Sequence, residues 1–246
     1  MTSRYPGPRI KVGGDFDGQL VVGDHNVVVT APERSGVRAR NDERGESGRP
    51  VADAAVHNTI VCVDVAGFGD PRRTLPHQTA VRDGLYRALM AAFERCGISW
   101  RDCHHEDRGD GVLVLVPADV PKARLSGGLP PALAVALEEH NVVHAEESRI
   151  RLRLALHAGE VRHDAHGVTG PALNHAFRLL DAPVLKDALS ASPGVLAVAA
   201  SDRFFDDVIQ HDPASRPDAY RRAEAAVKET RAPAWIRTAV GADCGL

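Results

Sequence analysis

Glu106-Asp107-Arg108-Gly109-Asp110-Gly111 puts three carboxylates within five positions and runs directly into the apolar stretch Val112 to Val116. A Gly-Asp-Gly step between an acidic and an apolar segment reads as the tip of a β-hairpin. Carboxylates beside a buried strand need a cation, an arginine or water. A further carboxylate, Asp64, closes the apolar run Thr59-Ile60-Val61-Cys62-Val63, forty-six residues upstream of Asp110. Ala66-Gly67-Phe68-Gly69 follows it, a turn whose glycines let backbone N–H groups approach a ligand closely. If the strand ending in Asp64 lies beside the hairpin, Asp64 and Asp110 face each other across neighbouring strands. Two such carboxylates repel unless a cation sits between them. Hard divalent ions, with phosphate oxygens as further ligands, meet that need. A pair of ions ~3.5–4 Å apart activates a hydroxyl and holds a triphosphate leaving group. The chemistry indicated is nucleotidyl transfer, with the turn at Gly67 and Phe68 wrapping the phosphates. A lone Gly-Asp-Gly is usually only a turn, and a lone strand-end Asp a cap or ion-pair partner; the set, in this order, raises the odds.

The elements that would carry these residues follow from periodicity. Thr59 to Val65 is a continuous apolar run broken by one carboxylate, a central strand buried on both faces. Residues 76–96 predict a helix, with Val81, Leu85, Leu89, Phe93 and Cys96 on one stripe and Gly97 ending it. Residues 98–106 and 112–116 predict the hairpin strands, and residues 131–144 a second amphipathic helix. In residues 149–156 Ile150, Leu152, Leu154 and Leu156 alternate with Arg149, Arg151 and Arg153, which predicts a strand with one solvated face. Pro171 starts a helix over residues 172–181 that sets Asn174 and Arg178 on one face. A short strand (194–199), a short helix (202–209) and a closing hairpin (220–228 and 235–240) complete the order β-α-β-β-α-β-α-β-α-β-β. The expectation is an α+β fold close to the split βαβ plan, with helices on one side of a mainly antiparallel sheet.

Composition bounds the rest. The 246 residues suit one domain with a tail, or two small ones. A formal charge of −3 gives no basic footprint, so a nucleic-acid partner is not expected. Cys62, Cys96, Cys103 and Cys244 have no Cys-x-x-Cys spacing, which points away from zinc and disulfides and towards a reduced, cytoplasmic setting. No apolar run approaches the ~20 residues of a membrane helix, and residues 1–7 lack a signal-peptide core. Residues 1–30, with Gly14-Asp15 and Gly23-Asp24 each followed by an apolar patch, predict a short Gly/Asp-rich β segment. It is expected to dock on the main domain or on a protein partner, or to self-associate. Residues 31–55 read as a disordered linker.

Five segments, in order, resemble the class III nucleotide cyclases, the adenylate and guanylate cyclase homology domain. VDVAGF (residues 63–68) is similar to the family's first metal motif and EDRGDG (106–111) to its second metal hairpin. LHAGEV (156–161) resembles the following strand and turn. GPALNHAFRL (170–179) resembles the helix with the Asn-x-x-x-Arg pair, and VKET…AW (227–235) the closing hairpin. The resemblance implies a palm-type, ferredoxin-like cyclase domain over residues 56–242. It implies that Asp64 and Asp110 bind two Mg²⁺ or Mn²⁺ ions, that Asn174 orients the ribose, and that Arg178 stabilises charge on the transferred phosphorus. In the family the last two come from the other subunit, so a homodimer is implied, with a nucleoside triphosphate as substrate. Lys228 falls where the family often carries a phosphate-binding lysine. Glu106 falls at the base-reading position: a carboxylate accepts from the N1–H and N2–H₂ edge of guanine, which favours GTP over ATP. Gly167 falls at the second base-reading position and brings no side chain. Gly69 stands where the first motif usually ends in a hydroxyl residue.

Other histidines weigh less. His104 and His105 are adjacent on a strand and point to opposite faces, so they do not converge on a metal. His140 and His144 share a helix face beside Glu138 and Glu139, but the expectation is a solvated face. His157 and His175 read as structural. The competing functional reading is a catalytically weak or inactive cyclase-like domain that binds nucleotide or protein as a regulatory module.

Overall fold

A computed structural model describes residues 19–22, 27–30, 54–227 and 230–239. The chain divides into two units, 1–51 and 52–246. In the first, β1 (Gln19–Val22) and β2 (Val27–Thr30) pair antiparallel, Gln19 opposite Thr30. The segment expected to be a disordered linker lies outside the described residues except for its last two positions, and Lys228 also lies outside them.

The second unit is built on β3 (Val56–Val65), whose buried run sits at the centre of the sheet. Its eight strands comprise β4 (His104–Asp107), β5 (Gly111–Pro117), β3, β6 (Leu152–Asp164), β8 (Leu196–Ser201), β10 (Thr230–Ala239) and β9 (Arg221–Val227) in that order, with β7 (Gly167–Thr169) on the outer end of β6. All pairs are antiparallel except β6 with β8. α1 (Leu75–Arg95) starts at Thr74, whose amide donates to His77 Nδ1 at 3.2 Å, and ends at Gly97 with φ +66°, the left-handed stop that favours glycine. α2 (Leu129–Val143) lies against it.

Helices cover both faces of this sheet, not one as the pattern suggested. Val61, Val63, Val65, Val112, Val114, Leu152 and Leu154 pack under α1 and α2. Ile60, Cys62, Leu113, Leu115, Ala155 and Ala197 pack under α3 (Pro171–Asp181) and α4 (Pro183–Ala191). The central strands are apolar on both sides because both sides are roofed. The sequence pattern left α4 and β7 out and ended β6 eight residues early. The basic side of β6 misled most: Arg151 and Arg153 are partly buried beneath the second helix layer. Arg151 donates to the carbonyls of Leu189, Ser192 and Gly194, closing the end of α4 onto the sheet. Between Ile98 and His104 the chain makes a 3₁₀ turn (Trp100–Asp102) rather than the expected strand. α5 (Asp202–Asp207) follows β8, with Ser201 accepting from the Phe204 amide as its cap.

Candidate functional site

Asp64 stands one residue from the end of β3, opposite Gly111 of β5 on one side and Arg153 of β6 on the other. A Cβ at Gly111 would lie 2.2 Å from the Val63 carbonyl oxygen, so only glycine lets the hairpin backbone press this close to β3. The Val65 amide donates to the Asp110 carbonyl at 2.8 Å. The strand pairing thus brings Asp64 and Asp110 to adjacent rungs, as expected, with Asp110 exposed and the Asp64 side chain 16% exposed. Burial pushes the Asp64 carboxyl up to about 6; Arg153 pulls it down, while the Asp110 and Asp181 charges add to the rise.

Asp64 already has a cation. Arg153 Nε donates to Oδ1 at 2.6 Å and Nη2 to Oδ2 at 2.8 Å, a two-point fork on the carboxylate. The alternation Arg149, Arg151, Arg153 carries the signal, but alternation alone predicts a solvated face, and Arg153 instead meets Asp64.

The two acids before the tip point to opposite faces, as strand geometry required, and Asp107, although its side chain is 42% exposed, is also held by its own chain. It accepts from Arg82 and from the Tyr86 hydroxyl, both on α1, and from the Gly109 amide at 2.8 Å. Burial works against its ionised form, but those three donors hold its carboxyl below the ordinary value. Arg82 and Tyr86 stand four apart on one face of α1, but nothing in that spacing says which strand the face meets.

Glu106 faces the α3 side and is also engaged. His104 Nε2 lies 3.1 Å from Oε1 and Arg108 Nη2 2.5 Å from Oε2. The Arg108 guanidinium lies 5.3 Å from the Phe177 ring centroid, tying the hairpin to α3. The outer end of β6 arches across to the same place, with the His163 ring 4.9 Å from that of His104. A Cβ at Gly167 would stand 3.2 Å from Glu106 Oε1. The two positions flagged as base readers are therefore neighbours in space.

On α3, Leu173, Ala176, Leu179 and Leu180 are buried, which leaves Asn174 exposed and Arg178 half-buried. Among the described residues the amides of Gly67, Phe68 and Gly69 have no acceptor, and a Cβ at either glycine would meet open space. Phe68 packs its ring against the α1/α2 core, so the turn is fixed while its amides stay free.

Away from this site, His140 is buried, not solvated: it stacks on His144 at 3.8 Å, and its Nε2 lies 3.0 Å from the Ser148 carbonyl oxygen. His157 and His175 face each other at 4.7 Å.

Two carboxylates with an open, exposed partner suit a hard divalent cation, and the arginine on Asp64 shows that a positive charge is accommodated there. Among the described residues no group of three or more His, Cys, Asp or Glu stands together as a metal site. The remaining ligands of any ion would be water and phosphate oxygens. Also among the described residues, no helix is long and apolar enough to cross a membrane.

No family model matches the chain, and no curated protein matches it. Solved structures do. An adenylate/guanylate cyclase/hydrolase from Silicibacter pomeroyi shares 20% identity over 76% of this chain and 98% of its own, with a TM-score of 0.54. The guanylyl cyclase Cya2 shares 18% identity over 79% and 98%, with a TM-score of 0.48. The adenylyl cyclase CyaB from P. aeruginosa shares 13% over 78% and 98%, at 0.49. The palm-type sheet with helices on both faces, matched over nearly the whole of the Silicibacter chain, is the fold of the class III adenylate/guanylate cyclase homology domain.

Proposed function

We propose that this chain is a nucleotide cyclase that converts a nucleoside triphosphate, GTP in preference to ATP, to the 3′,5′-cyclic nucleotide and pyrophosphate. It works as a homodimer with two Mg²⁺ or Mn²⁺ ions per site, held by Asp64 and Asp110. The observation that carries the reading is the rung on which Asp64 lies opposite Gly111 while the Val65 amide holds the Asp110 carbonyl at 2.8 Å. Two carboxylates on adjacent strand ends beside a turn with free amides suit a metal-bound triphosphate.

The reaction forms a bond from the ribose 3′ oxygen to the α-phosphorus and breaks the bond from that phosphorus to pyrophosphate; the hydroxyl proton leaves to solvent. The chemistry such ions supply when bound is activation of that hydroxyl and neutralisation of the leaving group. The amides of Gly67 and Phe68 bind phosphate oxygens. Arg178, supplied by the second subunit, offers a cationic fork to the charge growing on the α-phosphate, and Asn174 of that second subunit orients the ribose. Lys228 adds positive charge towards the phosphates. Glu106 accepts from the guanine edge.

Full-length protein incubated with Mn²⁺ or Mg²⁺ and each of the four nucleoside triphosphates should give cyclic product, most from GTP, detectable by mass spectrometry. Absence of product from all four at high protein concentration would overturn the proposal.

One observation favours the rival reading of a non-catalytic regulatory module: Asp64 and Glu106 both have their carboxylate oxygens occupied by groups of their own chain. Asp64→Ala separates the two. It abolishes turnover in a cyclase; in a regulatory module it alters nucleotide or partner binding with no turnover to lose.

A further inference from the structure

Arg151, directly before β6, and Arg153, on β6, lie two apart and face the same helix layer, yet they do different work. Arg151 spends its donors on neutral carbonyls at the end of α4. Arg153 spends its donors on one carboxylate. It stands directly opposite Asp64 in the β3–β6 ladder, and its Nε and Nη2 meet Oδ1 and Oδ2 at 2.6 and 2.8 Å. The pair is shielded, with 14% of the arginine and 16% of the aspartate side chain exposed. A guanidinium fork fills the in-plane edge of a carboxylate, where both oxygens direct their lone pairs. A divalent cation seeks the same edge. Two positive groups cannot share it, because their repulsion in a shielded site is strong.

We propose that Arg153 is the resident counter-cation of Asp64, a competitor that a divalent metal ion must displace before Asp64 can ligate it. The inference rests on reading Asp64 as a metal ligand. Arg153 is a positioning residue in this role. It keeps the carboxylate oriented before metal arrives, and it raises the metal concentration at which the site fills. Asp110, exposed beside the next rung and with no side-chain partner among the described residues, offers the incoming ion a first foothold.

The test is Mn²⁺ binding to the full chain without nucleotide, followed by electron paramagnetic resonance of the free ion at about pH 8, where carboxylates are ionised. Arg153→Met keeps the apolar stem and removes the charge; it should bind Mn²⁺ roughly tenfold tighter than the wild type, or more. Arg153→Lys keeps the charge without the fork and should fall between. Asp64→Asn should weaken binding in both backgrounds. If Arg153→Met binds no tighter while Asp64→Asn still weakens binding, the competition is overturned and the metal reading stands. If Asp64→Asn changes nothing in either background, the metal reading itself fails and takes the competition with it. Should Arg153→Met not fold, the wild type carries the test by nitrogen-15 NMR. The Arg153 Nε–H signal, assigned by its loss in Arg153→Lys, should be exchange-protected without metal and lose that protection at saturating Mg²⁺. A signal unchanged at saturation overturns the proposal.

Discussion

Arg82 on α1 grips Asp107 on β4 through both ends of its guanidinium, Nη2 to Oδ2 at 2.5 Å and Nη1 to Oδ1 at 3.2 Å, and also donates to the Gly109 carbonyl. Tyr86 adds its hydroxyl to Oδ2 at 2.8 Å. The clamp closes on the hairpin tip that presents Asp110, from the face opposite the site. Asp107→Asn should therefore loosen the tip without touching substrate. Amide exchange at Gly109 and Gly111 should accelerate roughly tenfold, and stability should fall by up to ~1 kcal/mol, since the pair is only partly shielded. Turnover should fall while nucleotide KM changes little. Asp107 titrates below its ordinary value in the folded chain, so its contribution is present above the ordinary Asp range and is lost as pH falls through the depressed folded value. The stability gap between wild type and Asp107→Asn, measured by urea melts, should be open at neutral pH and close in acid.

A second pH dependence comes from His157. Burial, with His175, Arg203 and His57 nearby, lowers its value from 6.5 to about 4. Ser201 Oγ, which accepts from the Phe204 amide at 3.2 Å, lies 2.7 Å from His157 Nδ1 and can donate its hydroxyl proton to the neutral ring. The unfolded chain protonates this histidine first, so folding loses stability as pH falls from about 6.5 to about 4, by roughly 2 kcal/mol after allowance for solvent. Asp64 acts in the opposite sense: its raised value contributes stability that is present below the ordinary Asp range and lost as pH rises through about 6. His157→Asn should flatten or invert the acid slope of metal-free protein in thermal melts, and Asp64→Asn should steepen it. Parallel slopes in all three proteins would contradict this assignment.

How far the site was legible depended on what each residue's partner was. The Asp64–Asp110 juxtaposition followed from local patterns alone: an apolar run ending in a carboxylate, and a Gly-Asp-Gly turn whose strand had to pair beside it. The exposed face of α3 likewise followed from spacing, since Leu173, Phe177 and Leu180 read as the packing side, and Leu173 and Leu180 are buried while Asn174 is exposed. What the sequence concealed were contacts across layers. A basic residue alternating with leucines looks the same whether it meets water or a roof, and α4, which roofs Arg151, starts only at Pro183, far along the chain. Asp107 shows the same limit: its strand face follows from spacing, but not that α1 delivers Arg82 and Tyr86 to its exposed carboxylate. His140 was hidden because its acceptor, the Ser148 carbonyl, sits on the turn beyond the helix end.

Gly167 and Glu106 make the base pocket testable. Gly167 has φ +124°, and a Cβ there would stand 3.2 Å from Glu106 Oε1. Gly167→Ala should cost about 1–3 kcal/mol in stability from backbone strain. It should also crowd the carboxylate and lower kcat/KM for GTP. Glu106→Gln removes a charged acceptor with little change of shape. If Glu106 reads guanine, the GTP-to-ATP ratio of kcat/KM should fall by roughly tenfold or more; an unchanged ratio would reassign Glu106 to holding Arg108 and His104.

The proposed homodimer can be tested by mixing two inactive proteins. Asp64→Ala is expected to lose the metal carboxylate in every site, and Arg178→Ala to lose the phosphate-facing guanidinium in every site; each alone should be inactive. If a site takes its carboxylates from one subunit and Asn174 and Arg178 from the other, a mixed dimer carries one site with both defects and one with neither. Random exchange makes half the dimers mixed, and each mixed dimer has one intact site of two. Activity should therefore recover to about a quarter of wild type. A site assembled within one chain would be broken in every subunit of the mixture, and no activity would return. Asn174 lies exposed on the outer face of α3, available to a second copy. Asp64→Ala also leaves Arg153 without its carboxylate, so circular dichroism must first show that variant to be folded. Asp110→Ala, at an exposed position with no such partner among the described residues, should complement Arg178→Ala to the same level.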